Sequence, residues 1–348
     1  MAAGKSITIV GGGLAGLTLG LGLRRRGVPV TICEAGHYPR HRVCGEFICG
    51  QGLAVLERQG LLARCQEAGA IQARTAMFVC GRHRSPVRPL PAPALCLSRH
   101  TLDALLAKSF AEGGGELRLN DRRPLAERRE GLVHACGRRA QPVEHWPRWI
   151  GVKAHVFSHC RVPLEADLEM HVSPHGYVGL NRINAGEINV CGLFRIRENS
   201  ARPESKLDWL RGGNGSLLRD RLRSAEFAAD SFCAVAGLRL KPRRAEPAEC
   251  CVGDALTMTP PVTGNGMSMA FESAEMAIDP LAAYSEGRLA WPDARQQIAQ
   301  RCDAAFACRL FWARLLQWMM MSPVLQVGFG PVLLGSGRLW QCLFKQTR

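Results

Sequence analysis

The sequence predicts an α/β chain with an α+β insert and a helical C-terminal segment, on three observations. Ser6-Ile7-Thr8-Ile9-Val10 is a short β-branched run that enters Gly11-Gly12-Gly13-Leu14-Ala15-Gly16 and an apolar stretch to Arg24, and Val28 to Cys33 is a second such run ending on Glu34. From Trp149 onward, short β-like runs alternate with turn signals. Glu249 to Ala255, followed by Gly264-Asn265-Gly266, repeats the succession of strand, glycine-rich turn and helix.

The first motif reads as strand, glycine turn, helix, strand, acid, which is a Rossmann-like dinucleotide site. Gly11 permits the tight turn, Gly13 lets the backbone approach a pyrophosphate, and Gly16 lets the helix pack on the strand. The helix begins at Leu14 and Ala15, and its N-terminus offers N–H groups and a positive dipole end to phosphates. Glu34, 18 residues after Gly16 and followed by Ala35, can accept hydrogen bonds from a ribose hydroxyl.

The 348 residues allow one large domain or two. The formal net charge of +15 comes mostly from arginine, since only six residues are Lys. An arginine excess of this kind points to an anionic partner, a phosphate-bearing cofactor or an anionic membrane surface. The arginines are scattered, aromatic content is 6% and no RNA- or DNA-binding module is present, so nucleic acid is not expected as a partner. The 15 cysteines form no C-x-x-C pair and no zinc-type spacing with His, so no metal site is expected. The N-terminus reads straight into a strand without a signal-peptide pattern. Reduced thiols in a cytoplasm are the expectation.

The remaining elements follow in order. His37 to Phe47 is a loop rich in basic and turn residues that carries Arg42, Cys44, Gly45 and Glu46. Gly52 to Leu62 reads as a helix with a glycine stop at Gly60, and Thr75 to Val79 as a strand. Pro86, Pro89, Pro91 and Pro93 mark an irregular crossing. Ser98-Arg99 opens a helix with apolar residues at 102, 105 and 106 that ends at Gly113-Gly114-Gly115. Short strands follow near Leu117 to Leu119 and Leu132 to Ala135. Val152 to Phe157, Leu164 to Val172, Tyr177 to Asn181 and Glu187 to Phe194 make the antiparallel sheet. Lys206 to Ala228 reads as helical.

In the second glycine-rich stretch, Asp254 after Gly253 stands at a strand end, where it can accept a hydrogen bond from a sugar hydroxyl. Pro260, Gly264, Asn265, Gly266 and Met267 lead into a helix whose dipole faces the ligand. At the C-terminus, Leu315 to Gly337 is 23 residues without a charge, broken by Pro323, Pro331 and four glycines. It is expected to pack on the body or to cover a lipophilic substrate, with peripheral membrane contact as the alternative.

These motifs together resemble the FAD-dependent oxidoreductases of the para-hydroxybenzoate hydroxylase type, in the branch with geranylgeranyl reductases and flavin-dependent halogenases. The resemblance rests on Gly11, Gly13, Gly16 and Glu34, on Arg99 with Asp103, and on Gly253-Asp254, Pro260, Gly264 and Gly266. It implies a Rossmann-like FAD-binding domain with an antiparallel substrate sheet. By the same resemblance, Glu34 holds the adenosine ribose, Asp254 the ribityl chain and Arg99 the phosphate region, and Arg42 with Cys44-Gly45-Glu46 approaches the flavin. The halogenase signature W-x-W-x-I-P is not met at Trp146 to Gly151, and the reductases' aromatic substrate motif is echoed only by Pro174-His175-Gly176-Tyr177. No second nicotinamide-binding motif appears, which fits transient use of NAD(P)H or an external donor.

Reduced flavin chemistry needs orientation, water exclusion and a proton path from the protein. Cys44, His155 and Tyr177 are candidate proton donors, and Lys153 shares a strand face with His155. That face is either the pocket or a solvated sheet surface.

The expected division is residues 1–145 with 235–290 as the FAD-binding domain, 146–234 as the substrate domain and 291–348 as a helical, hydrophobic segment. The expected function is an FAD-dependent, NAD(P)H-using monooxygenase of a hydrophobic aromatic, polyketide-like or isoprenoid small molecule. The alternatives are a double-bond reductase of the geranylgeranyl type and a catalytically silent FAD-fold protein that binds at a membrane. A cytoplasmic location is expected, with contact at the inner membrane face as the variant.

Overall fold

A computed structural model describes residues 4–138, 148–184, 186–196, 198, 205–238, 248–322 and 335–348. β1 (Ile7–Val10) pairs in parallel with β2 (Val30–Cys33), with β7 (Glu116–Arg118) outside β2 and β8 (Leu132–His134) outside β1. The order is therefore β7-β2-β1-β8. Residues 250–252 extend this sheet: the His134 N–H donates to the Cys250 carbonyl at 2.8 Å and the Val252 N–H to the His134 carbonyl at 3.0 Å.

α1 (Leu14–Arg24) is apolar on every side, and a helix of that kind must be buried. It lies against the parallel sheet between α4 (Arg99–Glu112) and α7 (Gly266–Ser285). The core here is built from Ile7, Leu17, Leu21, Phe110, Phe271 and Ile278. Its end points Gly11 and Gly13 at the rest of the chain, so the packing of one helix fixes the position of the nucleotide turn. Ser98 caps α4 by accepting the Thr101 N–H, as the sequence predicts.

The second sheet runs β13-β9-β12-β11-β10-β4-β6-β3 among the described residues, with β5 (His83–Arg84) off β4. Its strands are β3 (Phe47–Ile48), β4 (Ile71–Cys80), β6 (Arg88–Cys96), β9 (Arg148–Val156), β10 (Leu168–Ser173), β11 (Gly176–Ile183), β12 (Glu187–Ile196) and β13 (Phe227–Ala236). All pairs are antiparallel except β10 with β4. The outer face packs on α5 (Asp208–Arg211) and α6 (Leu217–Arg221) through Leu210, Leu218 and Leu222. On another side Tyr177 and Leu193 cluster with Leu238, Val262 and Met321.

Several expectations are corrected here. The sheet crosses the boundary expected at 145/146, because β3 to β6 join it rather than the parallel sheet. The pairing responsible, Ala76 with Leu168, is non-local and leaves no local signal. The proline-rich crossing is a strand, β6, whose register with β4 shifts between Ala73 and Thr75; prolines are tolerated at such irregularities. The helix expected over 206–228 is broken, since Gly212 and Gly215 take φ of +77° and +73° between α5 and α6. Residues from Phe227 then form β13. α2 (Gln51–Arg58) stops at a turn through Gly60 and α3 (Leu62–Glu67) follows.

At the C-terminus, α8 (Trp291–Met321) takes in the start of the uncharged stretch, and α9 (Gly337–Gln346) follows it. Pro323, Pro331 and most of the residues between them and α9 lie outside the described residues, as do Trp146 and Pro147. Among the described residues, no helix is long and apolar enough to cross a membrane. All 15 cysteines are free thiols.

Candidate flavin site and its buried carboxylate

A cavity of about 1220 Å³ runs between the two sheets. It exceeds the ~300–1,000 Å³ of ordinary small-molecule sites, so it has room for an extended dinucleotide and a second molecule. One end is lined by Glu34, Ala35 and Asp121 to Leu125, the middle by Gly11, Gly13, Gly253 and Asp254, and the far end by Met170, Tyr177 and Leu193.

The glycines of the first turn divide by role. A Cβ built on Gly13 meets nothing within 4 Å, so the space above it is open to a ligand. A Cβ on Gly16 would strike the Gly11 carbonyl oxygen, so Gly16 serves the packing of α1 on β1. α1 carries no capping side chain and no acid in its first turn, which leaves its positive end directed at the cavity. An open cradle at a bare helix N-terminus, with a carboxylate at each sugar position, fits FAD.

Glu34 accepts the N–H of Gly12 at 2.8 Å and of Gly36 at 2.9 Å, and pairs with Arg40 at 2.6 Å. Burial pushes its carboxyl up, but Arg40 and the two amides outweigh that and hold it below the usual carboxylate range. Tyr38 donates to the Gly12 carbonyl and so braces the turn. Burial pushes the Asp254 carboxyl up, with Arg138 and Arg99 pulling it back. Arg99 holds Asp103 with two hydrogen bonds, at 2.7 and 2.9 Å, and Arg42 meets the same carboxylate at 3.4 Å. A buried acid between two guanidinium groups thus aims Arg42 and Arg99 at the cavity.

Beside them Glu46 has a left-handed backbone, φ 55°, and is fully buried. Its Oε1 accepts the Arg99 N–H at 2.9 Å and meets Lys153 Nζ at 3.1 Å, and its Oε2 meets His155 Nε2 at 2.7 Å. Burial pushes this carboxyl up too, but His155, Lys153 and the Arg99 amide hold it low. Lys153, itself 0% exposed, also contacts His41 Nδ1 at 3.1 Å. Burial and the neighbouring Lys153, His155 and His100 push His41 down to about 4.

Of the expected cofactor residues, Gly11, Gly13, Leu14, Ala15, Glu34 and Ala35 line the cavity, as do Arg42, Gly45, Glu46 and Arg99. Gly253, Asp254, Gly264, Gly266 and Met267 line it as well. Gly16, Pro260 and Asn265 are not among the lining residues. The Asn265 side-chain amide is instead given to the Thr347 carbonyl at 2.9 Å. Of the candidate catalytic residues, Cys44 and Tyr177 line the cavity, whereas Lys153 and His155 stand behind Glu46. The face they share is therefore neither open pocket nor solvated surface. Burial pushes the Cys44 thiol up against the pull of Arg99, so it stays protonated at neutral pH. Burial also pushes the Tyr177 phenol well up. Sequence reasoning missed Tyr38, Arg40, His41 and Arg138. The density of basic and turn residues over 37–47 was the available signal for the first three.

Removing one partner of a buried ion pair leaves an uncompensated charge. Lys153→Met is therefore expected to cost about 3–5 kcal/mol, read from urea denaturation of the flavin-free protein. A loss below about 1 kcal/mol would show that Glu46 does not need this cation. Acid should weaken the fold by the same groups. Glu34 and Glu46 sit below their ordinary value of 4.5, so their contribution is whole above that pH and is lost as pH falls through their folded values. His41, depressed from 6.5 to about 4, stays neutral when folded and protonates first when unfolded, so it too loses stability as pH falls between these values. The urea midpoint should fall steadily from pH 7 to pH 4; a flat profile would contradict the assigned network.

Comparison with known proteins agrees with this geometry. A family profile described as FAD binding domain matches residues 5–139. Monooxygenase 1 of Arabidopsis thaliana is 28% identical over 109 residues, which is 31% of this chain and 28% of that relative's length. Among solved structures, the flavin-dependent brominase Bmp2 shares the fold at TM-score 0.75 and 18% identity, covering 98% of this chain and 92% of that one. PqsL of Pseudomonas aeruginosa, described as a probable FAD-dependent monooxygenase, does so at TM-score 0.70 and 17% identity, over 93% of this chain and 98% of that one. At such identities the structural likeness speaks for the fold alone. An FAD-binding domain profile over its N-terminal residues and a partial match to a monooxygenase make the chain similar to FAD-dependent monooxygenases, the type that its glycine motifs resemble.

Proposed function

We propose that this protein is an NAD(P)H-using monooxygenase that hydroxylates a hydrophobic small molecule of aromatic, polyketide-like or isoprenoid character. The observation that carries the reading is that one cavity takes in both the nucleotide cradle at Gly13 and an apolar chamber. That chamber is lined by Met170, Val172, Tyr177 and Leu193 of the large sheet. Leu316, Met319 and Met320 of α8 and Trp340, Leu343 and Phe344 of α9 form its other side. PqsL has been seen in complex with 2-aminobenzoylacetate, which supports a small-molecule substrate in this fold.

Bound and reduced, FAD supplies the activation of dioxygen. The chain's own residues do the rest. Gly13 and the start of α1 receive the pyrophosphate, Glu34 the adenosine ribose and Asp254 the ribityl hydroxyls. Arg42 and Arg99, fixed by Asp103, hold the loop of Cys44 and Glu46 beside the flavin. The sheet and the two C-terminal helices exclude water around an apolar substrate. On its outer side α8 exposes Phe311 and Trp318, which supports the peripheral membrane contact expected of the C-terminal segment.

Two measurements test this reading. Gly13→Ala should keep the thermal midpoint of the flavin-free protein and lose bound FAD, whereas Gly16→Ala should lower the midpoint itself. Full flavin content in Gly13→Ala would contradict the cradle. Turnover is tested with the FAD-loaded protein, NADPH, air and a hydrophobic extract of the host, read by mass spectrometry. The expected product is heavier by one oxygen atom. A product heavier by two hydrogens, formed equally without air, would replace hydroxylation with double-bond reduction.

A further inference from the structure

We infer that Glu46, His155 and Glu187 form a proton path between the flavin end of the cavity and the protein surface. The inference rests on the monooxygenase reading for its purpose, but its geometry stands independently. Glu46 lines the cavity and is fully buried. Its two oxygens are used differently. Oε1 is held by a fixed cation, Lys153, and by the Arg99 amide, while Oε2 faces a single titratable partner, His155 Nε2 at 2.7 Å. The other ring nitrogen, Nδ1, lies 3.7 Å from Glu187 Oε2, and that side chain is 36% exposed. That separation is longer than a hydrogen bond, so the path requires the partly exposed Glu187 to rotate toward the ring. An imidazole can take a proton at one nitrogen while releasing another from the second.

The surroundings suit a relay. Lys153 holds Glu46 anionic at rest. His41, edge-on to His155 at 5.0 Å and stacked on His100 at 4.6 Å, is pushed down to about 4 and stays neutral. The Cys44 and Cys233 thiols near Glu46 are pushed up by burial and remain protonated. Ser231 accepts the His155 backbone N–H and does not touch the ring nitrogens. Asn184 donates to Glu187 Oε2 at 3.4 Å and turns that carboxylate toward the strand pair.

Hydroxylation by NADPH and dioxygen yields hydroxylated product, NADP⁺ and water, and consumes one proton per turnover. Inward delivery is balanced. Glu187, protonated from solvent, gives its proton to His155 Nδ1. His155 releases the Nε2 proton to Glu46 Oε2, and Glu46 passes it into the cavity. The imidazole is left as the other tautomer and Glu187 as carboxylate. No electron moves in these steps.

Glu187→Gln tests the path at its exposed end, where the fold is not at stake. In the FAD-loaded full chain, turnover should fall about 10-fold, acquire a larger solvent deuterium isotope effect, and recover with added formate or acetate. Glu187→Asp should restore most of the rate. A flavin-independent readout is the ¹⁵N titration of the His155 ring, which should shift by about half a pH unit or more in Glu187→Gln. An unchanged rate with an unchanged titration overturns the path. A slowed variant that no small acid rescues also overturns it, since that marks a structural role. If the wild-type protein hydroxylates nothing, the functional reading has failed, and the His155 titration still decides whether Glu187 and His155 are coupled.

Discussion

A single buried carboxylate joins the parts of this protein that surround its cavity. Glu46 belongs to the loop before β3, yet its contacts come from the first turn of α4 and from the middle of β9. A charge without water is tolerable only when its partners are fixed, and here an amide, an ammonium and an imidazole are all fixed by regular structure. The left-handed backbone at Glu46 costs on the order of 1–3 kcal/mol, and it persists because those three partners over-determine the position of the side chain. The loop of Arg42, Cys44 and Gly45 is thereby pinned between the helical half and the large sheet. Asn189 of β12 adds to this by donating to the Cys44 and Gly45 carbonyls, at 3.2 and 2.9 Å.

The nucleotide end depends on a different constraint, the close approach of backbone to backbone. Gly16 sits over the Gly11 carbonyl, and Gly22 sits where a Cβ would enter the Ile278 side chain of α7. α1 can therefore lie deep between its neighbours, and its first turn stays within reach of the cavity. Tyr38 and Arg40 then lock Glu34 and Gly12 together from the following loop. Close packing fixes the cradle, and ion pairing fixes the loop that overlooks it.

What the sequence made legible follows the same division. Glycine motifs report local geometry, so both turns and the helix after each were readable, as were the strand before the first turn and the cap at Ser98, whereas the strand expected before the second turn is a single bridge between His134 and Cys251. The antiparallel runs between 152 and 194 were readable as β-like stretches separated by turn signals, although β9 and β12 are buried along most of their length. Pairings between distant segments were not readable: β4 reaches β10 across some ninety residues, and its neighbour β6 hides its extended character behind three prolines. Lys153 and His155 show the limit well. Alternation places both on one face of β9, but only the fold says that the face meets a carboxylate more than a hundred residues earlier. The same holds for Asn265, where a glycine-turn motif suggested a ligand and the tertiary structure supplied the Thr347 carbonyl.

The two ends of the cavity call for opposite physics, and the chain separates them. At the nucleotide end, acids and arginines alternate: Glu34 with Arg40, Asp103 with Arg42 and Arg99, Asp254 near Arg138. Asp103 orients two of these cations, and Arg40 holds the Glu34 carboxyl low, so the site can accept a pyrophosphate without holding a large uncompensated charge of its own. At the far end Met, Leu, Val, Tyr, Trp and Phe dominate the lining, with Arg348 stacked on Phe344 among them. Glu46 lies at the junction, lining the cavity with its charge compensated from behind by Lys153 and His155. A carboxylate is needed at that position because a neutral side chain would leave Lys153 buried without a counter-charge.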